Sequence, residues 1–177
     1  MKRNVYSLIL LFFVFTACEQ VDELTKFNMD YDTSITIPST TGLNLPLDIF
    51  TPDVKTNSES TFGVNDTRKD LVEEIRLKTL ELTIQTPNDA DFSFLKTIDI
   101  YIEAEGLPKE KIAWHEDVSS ISGNMLALET TGIDLKEYIK QDEFSLITEV
   151  VTDEALSSDY TIDVHTIFGV NAKILGI

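Results

Sequence analysis

The run from Phe27 to Ile37 constrains this chain more than any other stretch. Phe27, Met29, Tyr31, Thr33, Ile35 and Ile37 alternate with Asn28, Asp30, Asp32, Ser34 and Thr36. Successive side chains of a strand point to opposite faces, so this alternation predicts a strand with one face buried. The pattern recurs at Leu43–Ile49, Leu80–Ile84, Ile98–Ala104, Phe144–Val150 and Ile162–Phe168, with shorter runs over 111–115 and 125–128. Turn-forming clusters separate the runs: Pro38 to Gly42, Thr86-Pro87-Asn88-Asp89, and Glu105-Gly106-Leu107-Pro108. Pro46 cannot donate to a ladder, so its run is an edge strand or starts late, at Leu47. Residues 51–65 read as polar and irregular. Evenly spaced strands without a long helical pattern predict an all-β fold. Its form is an antiparallel two-layer β-sandwich, immunoglobulin-like in architecture.

Two segments depart from period two. Residues 66–75 and 134–140 read as short helical crossovers, with Asp66 or Thr67 and Asp134 as N-caps. Asp70, Leu71, Glu73 and Ile75 match Asp134, Leu135, Glu137 and Ile139 at an offset of 64 residues. The same offset carries Leu80 and Leu82 onto Phe144 and Leu146. The match reads first as one device used twice, a helical turn crossing between sheets before a central strand, and only second as a duplication. No repeat of solenoid length and no low-complexity tract is present.

Ahead of the strands the chain changes character. Met1-Lys2-Arg3-Asn4 is cationic, Val5 to Phe15 is almost wholly apolar, and Phe15-Thr16-Ala17-Cys18 follows, with the only cysteine of the chain. The apolar run is too short for a span of about 20 residues but fits a signal-peptide core of roughly 7–15. Phe15-Thr16-Ala17-Cys18 resembles the lipobox of bacterial envelope lipoproteins, in which small residues precede an obligatory Cys. Phe15 stands where that motif usually has an aliphatic residue. The resemblance covers the signal segment alone. It implies cleavage before Cys18, a thioether to diacylglycerol on the thiol, and a further acyl chain on the new amino terminus. At about 0.8 kcal/mol per buried CH₂, two or three chains anchor stably. It also implies a place at the outer membrane. The expected organisation is a signal peptide over 1–17, an acidic tether over 18–26, and one sandwich domain over 27–177. In some lipoproteins acidic residues after the Cys sort the protein to the cell surface. Glu19, Asp22 and Glu23 match that loosely, so a cell-surface and a periplasm-facing position both stay open.

Charge narrows the partners. The 31 acidic and 14 basic residues give −17, and removing Lys2 and Arg3 with the signal leaves 12 basic residues and −19. Phosphate binding needs clustered Lys and Arg, so nucleic acid is not an expected partner. A lone cysteine excludes a disulfide framework, a Cys-based zinc site and a dithiol motif.

Few residues carry chemistry. His115, in Trp114-His115-Glu116-Asp117, and His165 are the only neutral bases near physiological pH. Neither has a nucleophile placed by a motif: the GxSxG elbow, the HExxH helix and the P-loop are absent. His165 reads as solvent-facing. Trp114 reads first as a core anchor and second as an exposed platform. Tyr101, Trp114, Tyr138 and Tyr160 are the aromatics a glycan-binding module would expose, with Tyr101 and Trp114 the named ligand contacts. Asn88, Asp89 and Asp91 are candidate Ca²⁺ ligands, and Asp153, Glu154, Ser157, Ser158 and Asp159 form a second such loop. Asn and Asp are equally the residues of ordinary turns, so neither a metal nor a cofactor is expected beyond the lipid on Cys18. The expected function is non-catalytic: a structural, adaptor or ligand-binding protein docking an envelope protein or a glycan. The alternative is a glycan-processing hydrolase or accessory protein whose carboxylates converge from distant loops.

Overall fold

A computed structural model of the chain describes residues 26–39, 46–120 and 123–173. The expected signal peptide, Cys18 and the tether up to residue 25 lie outside these residues. Ten strands are present among the described residues: β1 (Lys26–Ile37), β2 (Leu47–Phe50), β3 (Val54–Lys55), β4 (Val72–Thr86), β5 (Leu95–Glu103), β6 (Glu110–Glu116), β7 (Met125–Ala127), β8 (Glu129–Thr130), β9 (Glu143–Thr152) and β10 (Tyr160–Ala172). One sheet, here sheet A, has the order β1-β10-β4-β7. The other, sheet B, has the order β2-β9-β5-β6-β8, with β3 also on β9. Every pairing is antiparallel. The expected all-β sandwich is therefore present.

The pairings are nested. β1 pairs with β10, β2 and β3 with β9, β4 with β7, and β5 with β6. The chain thus forms one long ribbon folded at the β5–β6 turn and wrapped so that its arms alternate between sheets. This is the strand order of a jelly roll, the double-Greek-key form of the sandwich. Two interruptions reduce ten strands to eight arms. Pro52 splits the edge arm between β2 and β3, as expected of a residue that cannot donate. There the Thr51 hydroxyl accepts from the Leu146 N–H at 2.9 Å, standing in for a ladder carbonyl. The second interruption, at buried Leu128, lets β7 leave sheet A and continue as β8 in sheet B.

The inward faces supply the core. Ile75, Leu80, Leu82, Ile162 and Phe168 from sheet A meet Ile98, Ile100, Ile102, Ile112 and Val150 from sheet B, all fully buried. Tyr31 and Phe168 of sheet A pack edge-to-face on Phe144 of sheet B, with centroids 5.4–6.0 Å apart. Thr148 is the exception in this core. It is fully buried on β9, and its hydroxyl has no hydrogen-bond partner. An orphaned buried hydroxyl costs about 1–3 kcal/mol. Thr148→Val should raise the unfolding free energy by about 1 kcal/mol in urea titrations; a loss would show that the hydroxyl is satisfied after all.

Residues 66–75 correct an expectation. Instead of a helix they form a 3-10 turn over Lys69–Leu71 and the start of β4. Register shifts against β10 leave Glu73 and Lys78 as extra residues in β4. Each bulge turns a two-residue step into a three-residue one, so Val72→Ile75 and Leu77→Leu80 imitate helical spacing. The second expected helix is real but brief, α2 (Lys136–Ile139), while α1 (Ser58–Val64) arises in the stretch read as irregular. α1 is a short polar helix that buries Ser58 and Phe62, the latter fully and against Phe27. The matched segments therefore share residues but not structure.

They do meet each other. Asp134 Oδ1 accepts from the Ile75 N–H at 3.0 Å and from the Lys136 N–H at 3.1 Å, tying the start of α2 to the edge of β4. Partial burial pushes the Asp134 carboxyl up, but those two bonds and the Lys136 ammonium outweigh it and hold the group below its usual range. A carboxyl lowered by folding contributes stability above the unfolded value of 3.8, and that contribution is lost as pH falls through the folded value. Asp134→Ala should cost about 1–2 kcal/mol near pH 6. The gap to the parent should narrow as pH drops toward about 3, which paired urea titrations would read; a pH-independent gap would contradict it.

Candidate functional site

The antiparallel registers sort the outward side chains into rows, because residues directly opposite share a face. On the outside of sheet B, Phe50 (β2), Ile147 (β9) and Tyr101 (β5) form one row, and Lys111 (β6) continues it. The next row is Asp48, Glu149, Asp99, Trp114 and Glu129. Phe50 is 62% exposed, whereas Ile147 is only 4% exposed although it points away from the core. Ile147 is not part of the main core cluster. Its cover comes from its own face, where Phe50 and Tyr101 flank it. A small apolar island thus sits on the outer surface of sheet B.

Charged side chains frame the island in pairs. Lys109 Nζ lies 2.5 Å from Glu149 Oε1 and 4.1 Å above the Tyr101 ring. Lys111 Nζ lies 2.7 Å from Asp99 Oδ1 and 5.8 Å from the Trp114 ring. The Glu149 bond raises the Lys109 ammonium above its ordinary value, and partial burial followed by the Glu149 and Asp99 charges raises the Tyr101 phenol. The β6 bulge at Ile112 sets this geometry, since it puts Lys111 opposite Tyr101 and Trp114 opposite Asp99. Trp114 is therefore a half-exposed surface ring, correcting the core position expected of it.

The other sequence candidates lie elsewhere. Tyr138 is buried and donates to the Pro108 carbonyl at 2.8 Å, and Tyr160 packs on Phe94. His115 stands opposite core residue Ile98, with Nδ1 buried and without a partner. His165 lies on the outer face of sheet A with Nδ1 2.7 Å from Asp32 Oδ1, and Glu81 stands opposite on β4. The two histidines are on different sheets, so they form no joint site. Asp91 accepts from the Ser93 N–H at 3.0 Å, capping the 3-10 turn Phe92–Phe94, and Asp159 accepts from the Ser39 N–H at 2.8 Å. Bonds from Ser93 lower the Asp91 carboxyl, and bonds from Ser39 lower that of Asp159. One aspartate of each candidate Ca²⁺ loop, Asp91 and Asp159, thus has a backbone donor. Among the described residues no three His, Cys, Asp or Glu side chains are grouped to hold a metal ion.

A concavity of about 520 Å³ opens at the end of the sandwich where β1 begins. Asp53, Glu103, Glu105, Asp142 and Glu143 line it. All five carboxylates are exposed, and Lys69 lies 3.8 Å from Asp142.

Neither a family model nor a curated protein matches the sequence. Among solved structures the chain is similar to the crystal structure of FLHE, at TM-score 0.38 and 6% identity, covering 84% of this chain and 98% of that one. It is also similar to the decameric BFDV capsid protein, at TM-score 0.38 and 7% identity over 82% and 99% of the two chains. A third is a CBM32 domain of Clostridium perfringens solved with GalNAc-β-1,3-galactose, at TM-score 0.33 and 8% identity over 81% and 97%. At such scores the likeness carries no argument, and the reading of the site rests on its own residues.

Proposed function

We propose that this chain is a lipid-anchored protein of the bacterial outer membrane with a non-catalytic docking role, and that the outer face of sheet B is the docking surface. The observation carrying the reading is the group of Phe50, Tyr101 and Trp114 around buried Ile147 on the outside of sheet B, framed by paired charges. Aromatic residues clustered on a surface and rimmed by polar groups are the usual anchors of recognition. The lipid on Cys18 supplies location and the sandwich supplies a rigid platform.

Site-specific photo-crosslinking in cells producing the full chain tests this. A photoreactive side chain replacing Phe50 should give a discrete adduct, and one replacing Ser34 on the outside of sheet A should not. Tyr101→Ser should weaken the adduct. Equal adducts from both positions, or none from position 50, would overturn the proposal.

A further inference from the structure

Resting on the docking role assigned to this face, we infer that its partner is a protein surface rich in lysine and arginine. Asp48 on β2, Glu103 on β5, Glu116 on β6 and Glu129 on β8 are outward carboxylates of sheet B. None of them has a basic partner among the described residues, whereas Glu149 is paired with Lys109 and Asp99 with Lys111. Those two lysines also lie over the Tyr101 and Trp114 rings. The apolar anchor left uncovered is Phe50, 62% exposed on the edge strand β2.

Phe50 cannot be covered without covering the carboxylates around it. Asp48 points from the same strand to the same face, about 7 Å away. A stable protein interface buries about 800 Å² on each partner, a disc about 16 Å in radius. Strands lie about 4.8 Å apart and same-face neighbours about 6.7 Å apart, so Asp48, Glu103, Glu116 and Glu129 all stand within about 15 Å of Tyr101. An interface centred on this face therefore takes them in. A neutral partner would strip their water and return no counter-charge, and an anionic one would add repulsion. A partner bearing lysine and arginine pairs them while an apolar side chain of its own packs on Phe50. Lys109 and Lys111 stay with their own carboxylates and are not free charges that repel it. The net charge of −17 steers such a partner toward the chain, and the unpaired carboxylates beside Phe50 fix where it lands.

The test uses the full chain in cells, with the photoreactive side chain at position 50. Asp48→Lys with Glu129→Lys should cut the adduct about tenfold, because the new charges meet like charges on the partner. Asp30→Lys with Asp163→Lys changes the net charge equally on the outside of sheet A and should leave the adduct unchanged. Asp48→Asn with Glu129→Gln removes charge at nearly constant size and should give a loss of about threefold. All four parent side chains are exposed, so each variant should keep the parent's urea midpoint. Membranes from parent cells irradiated in about 0.5 M rather than about 0.05 M NaCl should also lose adduct, since salt screens exposed charges. Equal loss in both reversal variants would show an effect of net charge alone. An adduct untouched by Asp48→Lys with Glu129→Lys would show a partner indifferent to these carboxylates. Either result overturns the inference and leaves the docking role standing. No adduct from position 50 in the parent removes the docking role and the inference with it.

Discussion

Phe168→Ala is expected to remove 3 kcal/mol or more of folding stability, the range for deleting a fully buried phenylalanine being about 3–5 kcal/mol. Phe168 has no exposed surface and lies on β10, which is hydrogen-bonded on both sides. Its ring meets Tyr31 at 5.8 Å and Phe144 at 6.0 Å, and the latter contact joins the two sheets. Truncation leaves a cavity between layers that β10 cannot collapse to fill, since β1 and β4 fix it from either side. Against a total stability of about 5–15 kcal/mol this is a large share. The melting temperature should fall by roughly 6–20 °C for a domain of this size. Phe168→Leu keeps most of the volume and should cost about 1–2 kcal/mol. Urea unfolding followed by Trp114 emission and by β circular dichroism measures both. A loss below about 1 kcal/mol for the alanine variant would mean that the aromatic trio does not join the sheets.

Strand positions were legible wherever one face alone is buried. β1, β5 and β10 follow their alternation closely, and β2 begins at Leu47 as Pro46 requires. The failure at β4 has a physical cause, because Glu73 and Lys78 are bulge residues and a bulge erases the two-residue period on which the reading depends. α1 was invisible for the opposite reason. Its residues carry no amphipathic pattern, and burial of Ser58 and of Phe62 against distant Phe27 holds it in place. The jelly-roll order was likewise beyond reach, since pairing β1 with β10 joins residues more than a hundred positions apart.

The site was half legible. Tyr101 and Trp114 stood out by type, and the structure sets them on neighbouring strands of one face. Phe50 and Ile147 did not stand out. Phe50 is out of phase with Leu47 and Ile49, and Ile147 interrupts the Leu146–Thr148 alternation as an apolar residue on a polar face. An apolar residue in the wrong phase of a strand is itself the signal, and two such residues on paired strands mark an outward apolar patch. The ion pairs beside them depend on the β6 bulge and leave no trace in the pattern.

Cys18→Ala is expected to abolish fatty-acid labelling of the protein and to release it from membranes or leave it as an unprocessed precursor. The chemistry requires a thiol: the thioether forms on sulfur, and a methyl side chain offers no nucleophile in its place. One acyl chain binds a membrane marginally, whereas the diacylglycerol plus an amino-terminal chain bury enough CH₂ groups, at about 0.8 kcal/mol each, for stable attachment. The diacylglycerol share of that affinity rests on one sulfur atom, so Cys18→Ala removes it completely. Lys26, where β1 begins, is eight residues beyond Cys18, a reach of at most about 26–29 Å for an extended chain. An anchor at Cys18 would therefore hold the sandwich close to the lipid by the end where β1 starts and β10 finishes. The core described above is built from residues 29–172, so the variant should unfold at the parent's urea midpoint while losing the membrane. Metabolic labelling with an alkyne fatty acid, read beside fractionation, decides the matter. Undiminished label in the alanine variant would place the lipid elsewhere and end the reading of Phe15-Thr16-Ala17-Cys18 as a lipobox.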